Sequence, residues 1–115
     1  MSFLTLTEAR TWVSNTLTTE TAVTADVTIL SITTIIENSD VSFISLQTSF
    51  SAAGKLYVVD ENDNPMYLTD SSTDYPANMQ IISTFMLPKG KTVSLKYSNT
   101  CTMSSLIIVH GGGVF

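Results

Sequence analysis

Hydrophobic and polar residues alternate along the last third of the chain, and the pattern there predicts two β-strands. Residues Thr92–Tyr97 place apolar side chains at every second position, directly after a turn that contains Pro88 and Gly90. The run Leu106–Val109 is apolar without interruption. An alternating strand has one buried and one wet face, whereas an uninterrupted apolar strand is buried on both faces. We therefore expect the closing strands of a β-sandwich, the last of them covered by a further contact such as another subunit.

The middle of the chain carries the same kind of β signals from Ala25 onward. Turn-forming residues recur at intervals of about ten residues, the spacing of short strands in a sandwich or barrel. We predict further strands in the Thr-rich stretch 27–36 and at 41–48, 56–59, 66–68 and 79–86. The sequence thus predicts a mainly β chain, with a sandwich or barrel of antiparallel strands over residues 22–115. The tail from His110 to Phe115 is expected to be flexible unless it docks.

The N-terminal part of the chain differs, because its spacing favours a helix. Thr5 and Glu8 fit a capping box. Apolar residues then follow at helical intervals: Leu6, Ala9, Trp12, Val13 and Leu17. We predict a short N-terminal α-helix over residues 6–17 and a linker at 18–21. Residues 1–21 would then form a separate unit for attachment or assembly, with Trp12, Val13 and Leu17 as contact residues.

Composition narrows the class of protein. Charged residues make up 13% of the 115 residues, about half the usual share, and Ser and Thr fill the gap. Thr-rich segments favour pleated sheet over helix. The net charge is −5, and Lys and Arg total only 5. Because no basic stripe exists, we expect no nucleic-acid binding and no attachment to anionic membranes.

The sequence also bears on disulfide bonding, targeting and membrane insertion. Cys101 is the single cysteine, so no disulfide can form within the chain and the core must hold the fold. Residues 1–5 lack the charged and apolar regions of a signal peptide. No apolar run is long enough to span a membrane as a helix. We expect synthesis and folding in a cytoplasm.

One acidic segment offers a candidate ion site. Asp60, Asn62 and Asn64 stand at alternate positions, as calcium ligands do, but Pro65 and Ser71 stand where an EF-hand loop needs Gly and Glu. Asp and Asn are also good turn formers. We favour a plain turn and expect no metal. A looser calcium site built from Asp60, Asp63 and Asp70 stays a minor alternative.

Catalytic residues are not evident. Cys101 and His110 could act as a nucleophilic pair only if they were adjacent and oriented by a third group. The run His110–Gly113 matches the oxyanion tetrapeptide of some lipases, but the chain has no nucleophile elbow. We therefore predict no enzyme, no catalytic residue and no cofactor.

Aromatic residues suggest two kinds of binding surface. Tyr57, Tyr67 and Tyr75 could face a carbohydrate ligand, although ordinary cross-strand packing explains such residues equally well and is the interpretation we favour. Trp12 could anchor a partner, as lone tryptophans at interfaces do. It could also pack on the sheet as core, and the sequence leaves both open.

The stretch Leu87–Leu95, followed a strand later by Leu106–Val109, resembles the last two strands of trimeric jelly-roll heads. These are domains of the tumour-necrosis-factor and complement-globular kind, and of many phage fibre and decoration proteins. In such heads a Pro/Gly turn launches an alternating strand, and the last strand lies near the threefold axis. Residues 103–105 replace the aromatic-glycine pattern that those heads often carry. The resemblance implies an antiparallel, jelly-roll-like β-sandwich and a homo-trimer with Leu106, Ile107 and Ile108 in its contact.

The resemblance, together with a capped helix before a small sheet domain, points to a structural role. We predict a small phage virion protein, a capsid decoration or fibre component that self-assembles and docks on the particle. Its partners would be copies of itself and other virion proteins, and its location would be the virion after synthesis in the host cytoplasm. The alternative is a carbohydrate-binding β-sandwich module.

Overall fold

The structure, a computed structural model, describes residues 12–17, 20–33 and 41–113, with backbone pairing alone for 12–17, 112 and 113. This part of the chain is all β, every strand pairing is antiparallel, and no helix occurs in it. No helix there could cross a membrane. The strands are β1 (Trp12–Leu17), β2 (Thr21–Val23), β3 (Leu30–Thr33), β4 (Val41–Thr48), β5 (Leu56–Val59), β6 (Pro65–Tyr67), β7 (Ile81–Pro88), β8 (Thr92–Tyr97), β9 (Cys101–Met103) and β10 (Leu106–Gly113).

The strands form two four-stranded sheets and a two-stranded ribbon. The long sheet has the order β1-β10-β4-β7, and three of its strands have eight residues each. The short sheet has the order β3-β8-β5-β6, and the ribbon pairs β2 with β9. Strands that follow one another along the chain therefore often lie in different sheets, so the chain crosses repeatedly from one sheet to the other.

One hydrophobic core joins these sheets. Along β4, buried residues alternate with partly exposed ones, so Ile44 and Leu46 face inward. Leu56 and Leu95 of the short sheet are fully buried in the same cluster. Burying each such side chain contributes roughly 1.5–3 kcal/mol. The shared core gives the molecule a sandwich-like arrangement, in which the inner faces of both sheets are shielded from water.

An aromatic pair lies in this core between the ends of two strands. The rings of Phe50 and Tyr97 are stacked, with centroids 3.7 Å apart, and the Tyr97 hydroxyl donates to the carbonyl of Ala52 at 2.7 Å. Gly54 lies directly against this ring, because a Cβ built there would be 2.8 Å from two atoms of Tyr97. The backbone passes the ring too closely for any side chain.

Most predicted strands are confirmed. The alternating strands at 41–48 and 92–97 occupy those residues, and 56–59 pairs with Pro65–Tyr67 as the expected hairpin. The strand predicted at 79–86 lies at Ile81–Pro88. These segments have strong period-two patterns or clear turn residues between them, which are local signals.

The prediction of an N-terminal helix is wrong for residues 12–17, the part of it that the structure describes. Residues 12–17 form β1, which pairs along its whole length with β10, from Trp12 opposite Gly111 to Leu17 opposite Leu106. The segment is rich in aromatic and β-branched residues, which fit a strand better than a helix. Pairing with a distant part of the chain outweighs the helical spacing of its apolar residues. Residues 6–11 of the predicted helix lie outside the described residues.

The C-terminal segment forms more strand pairs than the sequence predicts. His110 and Gly111 continue β10 and pair with both β1 and β4, so the first part of the expected tail docks. Cys101–Met103 forms β9, a strand that the sequence does not predict. Glycine gives no hydrophobic signal, and a three-residue strand is too short to show a period.

We predict that the Gly54→Ala variant is destabilised by about 1–3 kcal/mol, the usual cost of overpacking a rigid core. The added methyl group would collide with the Tyr97 ring and disturb its stacking on Phe50. Urea titration followed by tyrosine and tryptophan fluorescence would measure the free energy of unfolding. A variant as stable as the wild type would contradict the close packing of Gly54 on Tyr97.

Candidate functional site

The face of the long sheet that points away from the core is the most unusual surface of the described chain. Ile82 is 73% exposed, Met86 60% and Ile107 38%. We call outer face the outward positions of three strands: Val41, Phe43, Ser45 and Gln47 of β4, Ile82, Thr84 and Met86 of β7, and Ile107 and Val109 of β10. Large apolar side chains exposed together in this way mark interaction surfaces more often than chance would give.

The strand register arranges the outer face in rows. Ile107, Gln47 and Ile82 form one row, and Phe43 stands beside Met86 in another. Between these rows the hydroxyls of Ser45 and Thr84 share a hydrogen bond of 3.0 Å. Directly opposed side chains lie within contact distance on an antiparallel sheet. The surface therefore has apolar residues in both of these rows, one of which also contains the exposed Gln47, and a hydrogen-bonded polar pair between them.

The outer face carries no charged residue, although the chain as a whole is acidic. The described carboxylates lie elsewhere: Glu20, Asp26, Asp60, Glu61, Asp63, Asp70 and Asp74. Most of them lie in the loops next to strands of the short sheet. Copies of a chain with net charge −5 repel one another on average. An uncharged face brings no like charges into a contact between copies and avoids the cost of desolvating a charge there.

The structure separates the predicted contact residues of the last strand. Ile107 belongs to the outer face, whereas Leu106 and Ile108 are 1% and 2% exposed and belong to the core. The apolar run thus consists of an inward set and an outward set, and Ile107 of the outward set is exposed among the described residues. Trp12, Val13 and Leu17 stand opposite Gly111, His110 and Leu106 in the register. Their role in a contact stays a prediction.

Sequence reasoning missed Ile82, Met86 and Phe43. A signal for them exists, because Ile82 and Met86 are apolar at positions that alternate with the buried residues Ile81, Phe85 and Leu87. A strand that is apolar on both faces shows this doubled pattern. The segment 79–86 carries it as clearly as Leu106–Val109 does.

The acidic segment is a self-contained turn. One Asp60 carboxylate oxygen accepts from the backbone N–H groups of Asn62 and Asn64 at 2.8 and 2.9 Å, and the other accepts from the Asn64 side chain at 3.2 Å. These bonds hold the pKa of Asp60 below its usual value. Asp70 similarly accepts from Ser72. Within the described ranges, no three His, Cys, Asp or Glu side chains are grouped as metal ligands would be.

Two of the three candidate tyrosines, Tyr57 and Tyr75, form hydrogen bonds within the protein through their hydroxyls. The ring centroids of Tyr57 and Tyr67 are 5.3 Å apart, as expected for a cross-strand pair. Tyr57 donates to an Asp26 carboxylate oxygen at 2.6 Å, and burial together with this bond raises its pKa. Tyr75 donates to the carbonyl of Gln80 at 2.6 Å. Tyr57 and Tyr75 thus have their hydroxyls engaged, and the packing interpretation accounts for both.

His110 is a buried group without an evident chemical partner. It is 4% exposed, and its Nδ1 atom has no hydrogen-bond partner. Burial alone lowers its pKa. Cys101 lies on β9, next to the ribbon partner Val23. The hydrogen-bonded pair that nucleophilic catalysis requires is therefore not formed at Nδ1.

Comparisons with known proteins place no family on this chain. No protein-family model and no curated protein matches it. Among solved structures, the chain is similar to the Drosophila NLP core, whose structure was described as giving insight into pentamer formation and histone binding. The TM-score is 0.46 and the sequence identity is 13%, over 94% of this chain and 100% of that one. It is also similar to a subunit of Bacillus endospore appendages, described as disulfide-linked pili, at a TM-score of 0.41 and 12% identity, over 100% and 98%. At these values neither likeness carries an argument about function.

We predict that acid destabilises the domain through His110. Its pKa is lowered in the folded state, so the unfolded chain binds a proton more readily, and stability falls as the pH drops below the ordinary value of about 6.5. Urea unfolding at pH 7 and pH 5 would measure the loss in the wild type and in His110→Gln. The variant should lose clearly less stability over this interval. Equal losses in both proteins would assign the pH dependence to other groups.

Proposed function

We propose that this protein is a structural subunit that self-assembles into a homo-oligomer through the outer face. The observation that carries the proposal is the exposure of Ile82, Met86 and Ile107 on a face without charges. A sheet with a well-packed inner face and an apolar outer face lacks one covering layer. A second copy of the chain provides that layer, because its own outer face is equally apolar and uncharged.

The strand order supports a jelly roll as the form of the subunit. Eight strands divide into two four-stranded sheets of order β1-β10-β4-β7 and β3-β8-β5-β6. Jelly rolls have eight strands in two sheets connected as Greek keys. Such domains assemble side by side in shells and fibre heads, where one sheet faces a neighbour.

We further propose that the oligomer is a trimer and a small component of a phage virion, of the decoration or fibre kind. This part rests on the resemblance of Leu87–Leu95 and Leu106–Val109 to trimeric jelly-roll heads. Other virion proteins would then be its docking partners. In such a role the outer face holds the copies together, and the acidic loops stay in water.

The outer face is tested by placing a charge on it. We predict that Ile82→Asp and Met86→Asp fold normally and dissociate, because an unpaired charge buried in a contact costs about 3–5 kcal/mol. Ser31→Asp, an exposed position on β3 of the short sheet, is the matched control and should assemble like the wild type. Light scattering coupled to size exclusion measures the mass, and circular dichroism checks the fold. A wild type that is monomeric at every concentration, or Asp variants of wild-type mass, would refute the proposal.

A second pair of variants separates the contact from the core. Ile107 lies on the outer face and Ile108 in the core, one residue apart. Ile107→Asp should give a folded monomer, whereas Ile108→Asp should unfold, because total stability is only about 5–15 kcal/mol. The same two measurements distinguish the results. Unfolding by both variants would show that Ile107 belongs to the core of a single subunit.

A further inference from the structure

The outer edge of β7 lacks most of the usual protection over residues 81–87. Within the described residues β7 is the last strand of the long sheet, and no strand pairs with its outer side. It has eight residues, Ile81–Pro88, and none is charged. Natural sheets protect such edges with charges, bulges or short strands, because an open edge pairs readily with another chain. Only Pro88, at the very end of β7, is of the protective kind.

A groove runs beside this edge, between β7 of the long sheet and β6 of the short one. Its volume is about 290 Å³, and its lining combines apolar residues with Asp60, Glu61 and Lys91; the apolar ones include Val58, Met66, Phe85, Leu87 and Val93. Val58 and Leu87 are core residues, so the groove reaches the core. A strand added to β7 would direct every second side chain towards the short sheet, and hence into this groove.

The opposite edge of the same sheet has matching properties. It is formed by β1, which also contains no charged residue and whose outer side is unpaired within the described residues. The four strands alternate in direction, so β1 runs opposite to β7. When one copy is placed beside another in the same orientation, β1 of the second therefore meets β7 of the first as an antiparallel partner. The two edges are complementary in direction and in their lack of charge.

We propose that a second copy of this chain adds the outer edge of its β1 to the outer edge of β7, so that the long sheet continues from one subunit to the next. This inference rests on the self-assembly proposed above and names the contact that produces it. The contact joins different surfaces of the two copies, so it closes into a ring or runs on as a fibre. In a ring whose outer faces point to the axis, the same contact covers the open edges and the outer face together.

The register gives the expected alignment. Ser14, Val109, Ser45 and Thr84 form one row across the long sheet. If the sheet continues without stagger, Thr84 of one copy faces Ser14 of the next. Facing residues on antiparallel strands have Cα atoms about 4.5–5.5 Å apart, a distance that a disulfide spans. Within one chain the same two residues are three strands apart, about 14 Å, and cannot be bridged.

The test is a disulfide between these positions. The double variant Ser14→Cys with Thr84→Cys is made in a Cys101→Ser background and oxidised, and non-reducing gels measure the covalent mass. We expect a ladder of chain multiples that stops at the subunit number of a closed ring, and each single variant should stay at the mass of one chain. The matched control, Ser31→Cys with Thr84→Cys, pairs β7 with an edge of the short sheet and should not form the ladder.

The outcomes separate this inference from the proposed function. A ladder with Ser14→Cys, or with Thr16→Cys in its place after a shift of two residues, supports the edge contact. If neither pair cross-links while the Ile82→Asp variant still dissociates the wild-type oligomer, the edge contact is overturned and the outer face remains the interface. A wild type that is monomeric and never cross-links overturns both.

Discussion

The alternation of side chains along β4, β7 and β10 is the constraint on which the rest of the structure depends. Each strand must fill the core with one set of residues and present the other set on the opposite face. Ile44, Ile108 and Leu87 are buried inward, and the same strands carry Phe43, Ile107 and Met86 outward. Because both sets are apolar, filling the core leaves Ile107 and Met86 exposed among the described residues. The assembly proposed above would complete the packing of this side of the long sheet.

The distribution of charge reinforces the same division. The acidic residues lie in loops such as Asp60–Asn64, where Asp60 is bonded to the backbone and stabilises its own turn. Neither the outer face nor the open edges formed by β1 and β7 carry charge. The outer face and edge strands of the long sheet are therefore less charged than the loops next to the short sheet.

The sequence predicted those parts of the fold that depend on local patterns. The strands at 41–48 and 92–97 and the hairpin of β5 and β6 have a strong alternation or clear turn residues. The predicted helix at 6–17 is wrong over 12–17, because pairing with β10 decides the structure of that segment and cannot be seen in a window of a few residues. Glycines 111–113 have no hydrophobic side chain, so no pattern indicated that they continue β10. The candidate surface was half predicted: Ile107 was identified, but Ile82 and Met86 were missed, since their outward position depends on which face of β7 meets the short sheet.

Hydrogen–deuterium exchange at two protein concentrations tests the central claim most directly, that the long sheet is where copies meet. Assembly slows exchange only for amides that it covers or pairs. We predict that dilution from the assembled to the dissociated state speeds exchange in peptides from β1, β7 and β10, and leaves peptides from β5 and β8 of the short sheet unchanged. The reverse pattern, or exchange that does not depend on concentration in any strand, would contradict the account.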